Sequence, residues 1–130
     1  MDMTRFTDLD AWNVGLDLVK EIYVLTKKFP KEELFGLTSQ LRRSSKSILA
    51  NMAEGCGRFT FADKAAKFVI ARGECMETEA HIRIAIRLGF ITQDESKRSL
   101  ELIQHTGRLI SGLISSVKNR SHKKTNSPIH

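Results

Sequence analysis

The chain has 130 residues, 41% hydrophobic and 28% charged, with a formal net charge of +6. That length suits one domain able to bury a core without staples, and the scarcity of proline and of alternating β-branched runs argues against β structure. No window approaches the roughly 20 apolar residues of a spanning helix, and the N-terminal stretch MDMTRFTDLDAW lacks the basic-then-apolar pattern of a signal peptide. A cytoplasmic protein with no membrane partner is expected.

Thr7 and Asp8 are candidate caps for a first helix over about Leu9–Phe29. Leu9, Trp12, Leu16, Val19, Tyr23 and Thr26 follow the three-and-four spacing of a buried stripe, which Leu18, Ile22 and Leu25 widen. Pro30 stops this helix. KEELFG, residues 31–36, reads as a single turn with a glycine exit, and Leu34 and Phe35 are expected to fold back onto the core.

The second helix, Leu37–Arg58, places Leu37, Leu41, Ile48, Leu49 and Met52 on one arc. Gln40, Arg43, Ser47, Asn51 and Glu54 form a polar stripe opposite. Ser44 and Ser45 fall in or beside the apolar arc, where small side chains let another helix approach. Gly55 and Gly57 are expected to end the helix, because glycine tolerates the positive φ of a C-terminal cap.

Thr60 with Asp63 resembles a capping box. From there to Leu88 only Gly73 interrupts a helix of about 43 Å. It has two apolar faces. One carries Phe61, Phe68, Ala71, Cys75, Ile82, Ala85 and Ile86; the other carries Ala62, Ala66, Val69, Ile70, Met76, Ala80, Ile84 and Leu88, with Gly73 among them. Arg72, Glu79 and Arg83 form a charged seam between the faces on one side, and Asp63, Glu74 and His81 on the other.

Gly89 caps this helix, and Thr92 with Glu95 opens a fourth that runs to about Lys118. Gly107 and Gly112 are expected at close helix contacts. Residues 119–130 have no periodicity and read as a disordered basic tail after a bundle spanning 1–118. The tail holds Arg120, Lys123 and Lys124; without them 18 bases face 15 acids.

Four helices with short connections predict an all-α, antiparallel up-down-up-down bundle. Such a bundle has no central helix to absorb a second apolar face, so that face predicts a homo-oligomer interface.

The stretch QLRRSSKSILANMAEGCGR resembles the signature of the bacterial four-helix-bundle proteins encoded in 23S rRNA intervening sequences: Gln-x-x-Arg-Arg, Ser-Ile, Asn-x-Ala-Glu-Gly, then Gly-Arg. FTDLDAW resembles that family's Phe-x-x-Leu-x-x-Trp opening. FPKEELFGLTSQ resembles its linker, with one extra residue between Glu32 and Phe35, so that Glu32 or Glu33 matches the family's acid. ARGECMETEAHIRIAIRLGFI resembles its Ala-Arg-Gly segment and Leu-Gly-Tyr-Ile turn. The likeness extends over about Phe6–Val117. It departs at Leu49, where the family usually has a kinking proline, and at Glu74-Cys75, where it usually has Ser-Leu. The resemblance implies a homopentameric ring, similar to the accessory proteins of diversity-generating retroelements, which bind nucleic acid and a reverse transcriptase. For the rRNA-insert members it implies no established activity.

No catalytic, cofactor or metal site is expected. The polar stripe has one carboxylate and no nucleophile–histidine pair. His81 and His105 lack metal-ligand spacing. Glu77 and Glu79 point to different faces, Gly55-Cys56-Gly57 is too short for a phosphate loop, and Cys56 and Cys75 suit neither a disulfide framework nor zinc.

The expected role of Gln40, Arg43, Asn51, Glu54, Arg72 and Glu79 is a structural polar network joining the second and third helices. Arg43 and Arg72 would be paired by Glu54 and Glu79, because an unpaired buried charge costs several kcal/mol. Candidate nucleic-acid contacts are Arg42, Lys46, Arg58, Lys64, Lys67, Arg87, Lys97, Arg98, Arg120, Lys123 and Lys124. With no aromatic stacking set evident, contact driven by charge and shape with structured RNA or DNA is expected. Five copies of a +6 chain would carry +30, and multiplicity turns modest patches into a polyanion site. The alternative is a protein-interaction scaffold or accessory subunit whose charge serves solubility.

Overall fold

The structure, a computed structural model, describes residues 5–126, with side chains described through residue 121. Four helices make up the fold: α1 (Asp10–Thr26), α2 (Leu37–Cys56), α3 (Phe61–Arg87) and α4 (Gln93–Asn126), with 3-10 turns at Phe6–Asp8 and Lys31–Glu33. The described residues form no strand. The helices pack as a bundle in which α2 lies between α1 and α3, and α4 between α3 and α1. No helix is long and apolar enough to cross a membrane among the described residues.

In α1 the buried stripe is Ala11, Gly15, Leu18, Ile22 and Leu25, continued by Phe29. It is rotated from the expected one: Leu16 is exposed and Tyr23 only half-buried. Gly15 explains the rotation, since a Cβ there would lie 2.6 Å from Leu49 Cδ2, so α1 turns its smallest residue toward α2. Neither Thr7 nor Asp8 caps the helix; Leu9 holds that position without a side-chain bond, and Asn13 Nδ2 donates to the carbonyls of Thr7 (3.2 Å) and Leu9 (3.1 Å) instead.

The Lys31–Glu33 turn leads to Gly36, after which Glu33 Oε1 accepts from Leu37 N–H (3.0 Å) and so opens α2. Leu34 and Phe35 do not fold back: Phe35 is 92% exposed and Leu34 half-exposed. The turn directs them outward because Phe29 and Phe90, with ring centroids 5.7 Å apart, already close the core beneath that end.

In α2, Leu41, Ser44, Ser45, Ile48, Leu49 and Met52 are buried, and the helix is unbroken through Leu49. Gly55 and Gly57 do not end it by positive φ; Gly57 is right-handed at φ −84°. Gly55 is required by packing, since a Cβ there would sit 2.6 Å from Phe68 Cε1 on α3.

Asp63 N–H donates to Thr60 Oγ1 (3.0 Å) to start α3. At its end Gly89 takes φ +80°, Phe90 N–H donates to Ala85 O and Gly89 N–H to Ile86 O, the paired bonds of a Schellman motif. Thr92 and Glu95 form a reciprocal capping box: Thr92 N–H donates to Glu95 Oε1 (2.9 Å) and Glu95 N–H to Thr92 Oγ1 (3.0 Å).

One face of α3 is core: Ala65, Phe68, Ala71, Cys75, Thr78, Ile82 and Ala85 are buried. The other is bare. Val69, Ile70, Met76, Ile84 and Leu88 are exposed, Met76 to 70%, together with Ala62, Ala66, Gly73 and Ala80. On α4, a Cβ at Gly107 or Gly112 would meet nothing within 4 Å, so neither marks a close contact; Gly107 borders the open groove between α3 and α4, and Gly112 is exposed. α4 also runs past Lys118 to Asn126, so residues 119–126 continue a helix where a disordered tail was expected. No glycine or proline interrupts that segment, and extending a nucleated helix costs little. The side chains of Lys123 and Lys124 and the whole of residues 127–130 lie outside the described residues.

Candidate nucleic-acid interface

Two polar features flank α2, and they share Arg43. The first is a seam against α3. Arg43 Nη2 pairs with Glu77 Oε2, and its Nη1 lies 3.6 Å from Glu74 Oε2. Arg43 Nε donates to Gln40 Oε1 (3.3 Å). Ser47 Oγ donates to Glu74 Oε2 (3.0 Å), and Asn51 Nδ2 donates to the Ser47 carbonyl (2.9 Å) and hydroxyl (3.1 Å). His81 Nε2 lies 3.2 Å from Glu77 Oε2. Burial alone would raise the Glu77 carboxyl; hydrogen bonds with His81 and Glu74 and the Arg43 charge outweigh it and hold the group below its ordinary range.

Gln40, Arg43 and Asn51 therefore meet in one seam, but their acids are Glu74 and Glu77. Glu54 lies further along α2 and accepts from Lys67 Nζ (3.2 Å). Arg72 and Glu79 are on the α4 side of α3, lining a groove with Gln104 and Arg108. Glu79 accepts from Arg83 Nε one turn away (2.9 Å), and Arg72 is exposed. The six expected network residues are thus split across both flanks of α3. The reason is rotational: Glu74 and Glu77 face α2, whereas Arg72 and Glu79 face α4.

The second feature is a groove of about 630 Å³ where α1, the Lys31–Glu33 turn and α2 meet. Tyr23, Leu34, Phe35, Arg42, Arg43 and Lys46 line it, and no acid does. The Arg42 Cζ stands 4.5 Å from the Tyr23 ring centroid, and Lys46 Nζ stands 5.9 Å from it. Arg42 Nε donates to Thr26 Oγ1 (3.0 Å), and that hydroxyl donates in turn to Ile22 O (2.7 Å). Tyr23 and Phe35 are absent from the sequence-derived candidates. They lie on different segments from the cations, so no linear spacing could have exposed them.

The remaining bases are dispersed. Lys64 Nζ donates to the Cys56 carbonyl (2.9 Å), Lys67 pairs with Glu54, and Arg98 Nε lies 3.8 Å from Glu21 Oε1. Arg58, Arg87, Lys97 and Arg120 are exposed. Among the described residues no group of three or more His, Cys, Asp or Glu is placed to hold a metal ion. Burial, with a smaller contribution from the Glu74 charge, pushes the Cys75 thiol up to about 12, which makes it a poor nucleophile.

The fold is that of an all-α four-helix bundle protein, with a cross-helix ionic seam and a basic groove that no acid lines. More particularly, residues 7–112 match the model of the 23S rRNA-intervening sequence protein, and the chain belongs to that family. It is also similar to a solved structure from Bacteroides thetaiotaomicron VPI-5482, described as a protein with unknown function from the S23 ribosomal protein family. The two share 27% identity at a TM-score of 0.73, covering 80% of this chain and 97% of that one. No curated protein matches the chain.

Proposed function

We propose that this is a non-enzymatic, homo-oligomeric bundle protein that binds structured nucleic acid, RNA or DNA, through outer basic residues. The observation that carries the reading is a set of cations without counter-ions. Among the described residues Arg42, Lys46, Arg58, Arg87, Lys97 and Arg120 have no acidic partner. An up-down-up-down course is supported by the Lys28–Glu95 pair (2.8 Å), which ties the end of α1 to the start of α4, and by the Ser44–Thr78 and Gly55–Phe68 contacts, which run in opposite chain directions. The bare face of α3 supports self-assembly, and the family resemblance suggests five copies in a ring.

The test is affinity for a labelled RNA hairpin across a salt series. Phosphate contacts require that log K fall steeply with log salt. A variant carrying Lys97→Gln, Arg120→Gln, Lys123→Gln and Lys124→Gln should bind more weakly and with a shallower slope. Absent or salt-independent binding would reject the reading. One observation favours a second reading, a scaffold or accessory subunit without nucleic-acid contact. A partner protein, such as a reverse transcriptase, would cover the bare α3 face as well as a second copy would. Cross-linking in cells, recovering protein but no nucleic acid, would select it.

A further inference from the structure

We infer that the groove between α1, the Lys31–Glu33 turn and α2 holds an unpaired stretch of nucleic acid, with phosphates on Arg42 and Lys46 and a base stacked on Phe35. The inference rests on the nucleic-acid reading above and names the part of the ligand and the site that takes it.

Three observations converge. First, Arg42 is held ready for an anion. Its Nε is spent on Thr26 Oγ1 (3.0 Å), and that hydroxyl is fixed by its own bond to Ile22 O (2.7 Å). The guanidinium is stacked at 4.5 Å on Tyr23, so its orientation is set while neither Nη group has a protein acceptor among the described residues. A planar fork with two free nitrogens suits a phosphate's paired oxygens.

Second, the charge there is uncompensated. Lys46 follows Arg42 by one helical turn, and both stand over the same Tyr23 ring. Like charges so placed repel, and no acid lines the groove. Across the seam, Glu74 and Glu77 are engaged by Arg43, and at the rim the Glu33 carboxylate is engaged by Leu37 N–H. An incoming phosphodiester would supply the missing charge.

Third, the rim presents an aromatic ring to solvent. Phe35 is 92% exposed, and Leu34 beside it is half-exposed. A base stacks on such a ring whatever its identity, and cations tracking the backbone beside aromatic platforms are the means by which proteins hold single strands. A duplex keeps its bases stacked inside, so only a loop, bulge or end can use Phe35. The groove shares no residue with the bare face of α3.

The test uses the full chain and fluorescence anisotropy with labelled oligouridylate and oligothymidylate of about 12 nucleotides, and a blunt duplex. Phe35→Ala should weaken binding of both single strands by about 5- to 100-fold while duplex affinity and melting temperature hold; Phe35→Trp should restore it. Lys46→Gln, at an exposed position that does not threaten folding, should lower the magnitude of the single-strand salt slope by about 0.7, and the double variant with Arg42→Gln by about 1.4. Wild-type single-strand affinity and slope in Phe35→Ala and Lys46→Gln would overturn the groove assignment and leave nucleic-acid binding standing. Failure of the unaltered protein to bind any of the three probes would overturn both.

Discussion

The hydroxyl oxygens of Ser44 on α2 and Thr78 on α3 lie 2.8 Å apart, and both residues are wholly buried. Thr78 Oγ1 donates to Glu74 O on its own helix (2.8 Å) and so accepts the Ser44 proton, for which Leu41 O at 3.3 Å is the more distant alternative acceptor. Small polar side chains at this crossing let the helices approach while leaving no hydroxyl unsatisfied. Ser44→Ala or Thr78→Val alone should cost about 1 kcal/mol, and the double variant clearly less than the sum, because removing both partners leaves nothing stranded. Urea unfolding of the four proteins gives the coupling; strict additivity would show that the pair contributes nothing jointly.

Two glycines in helices should respond oppositely to alanine. At Gly55 the new methyl would lie 2.6 Å from Phe68 Cε1 and 2.9 Å from Cδ1, against a ring buried in the core. Gly55→Ala should destabilise by about 1–3 kcal/mol through overpacking. Gly112 is helical, without positive φ, and has nothing within 4 Å of a built Cβ. Gly112→Ala should stabilise by about 0.5–1 kcal/mol by removing backbone freedom from the unfolded chain. Thermal melts of both variants decide the matter: an unchanged or raised melting temperature in Gly55→Ala would contradict the packing assigned to Gly55, and a lowered one in Gly112→Ala the open surroundings assigned to Gly112.

Stability should fall in mild acid partly through Glu77. Its carboxyl is held below the reference 4.5, so the folded state favours the charged form. The stabilisation is present above that reference value and disappears as pH falls below 4.5 through the folded value. Arg43 and Glu77 side chains are 48% and 38% exposed, so solvent screening keeps the pair's contribution below about 1 kcal/mol. Glu77→Gln should therefore flatten the acid limb of the stability–pH curve and change the neutral value little. Arg43→Ala should likewise leave the monomer folded, contrary to what a fully buried charge would demand. An acid limb in Glu77→Gln identical to the parent's would remove this carboxylate from the account.

If the bare face of α3 is covered by other copies, a charge placed there should break the assembly and spare the fold. Met76→Glu or Ile70→Glu should reduce native mass, measured by light scattering, while helical circular dichroism stays at parental strength. Both residues are exposed within one chain, at 70% and 48%, so neither substitution disturbs the core. A parental mass in both variants would place the interface elsewhere.

The residues by themselves determined the four helices, the caps of α3 and the start of α4, and the two-faced character of α3, because these follow from local periodicity and from side chains that bond backbone within a few positions. Thr60, Gly89 and the Thr92–Glu95 box behave as their spacing demands. The Gln-x-x-Arg-Arg and Asn-x-Ala-Glu-Gly signature also sufficed to place the chain in its family. Partner choice across helices was decided only in three dimensions. Rotation about the α3 axis gave Arg43 to Glu74 and Glu77 and left Glu54 to Lys67. The same limit hid the groove. Tyr23 lies on α1, Phe35 in the connection and Arg42 with Lys46 on α2, and only the packing of these segments joins two aromatic rings to two cations without an acidic partner.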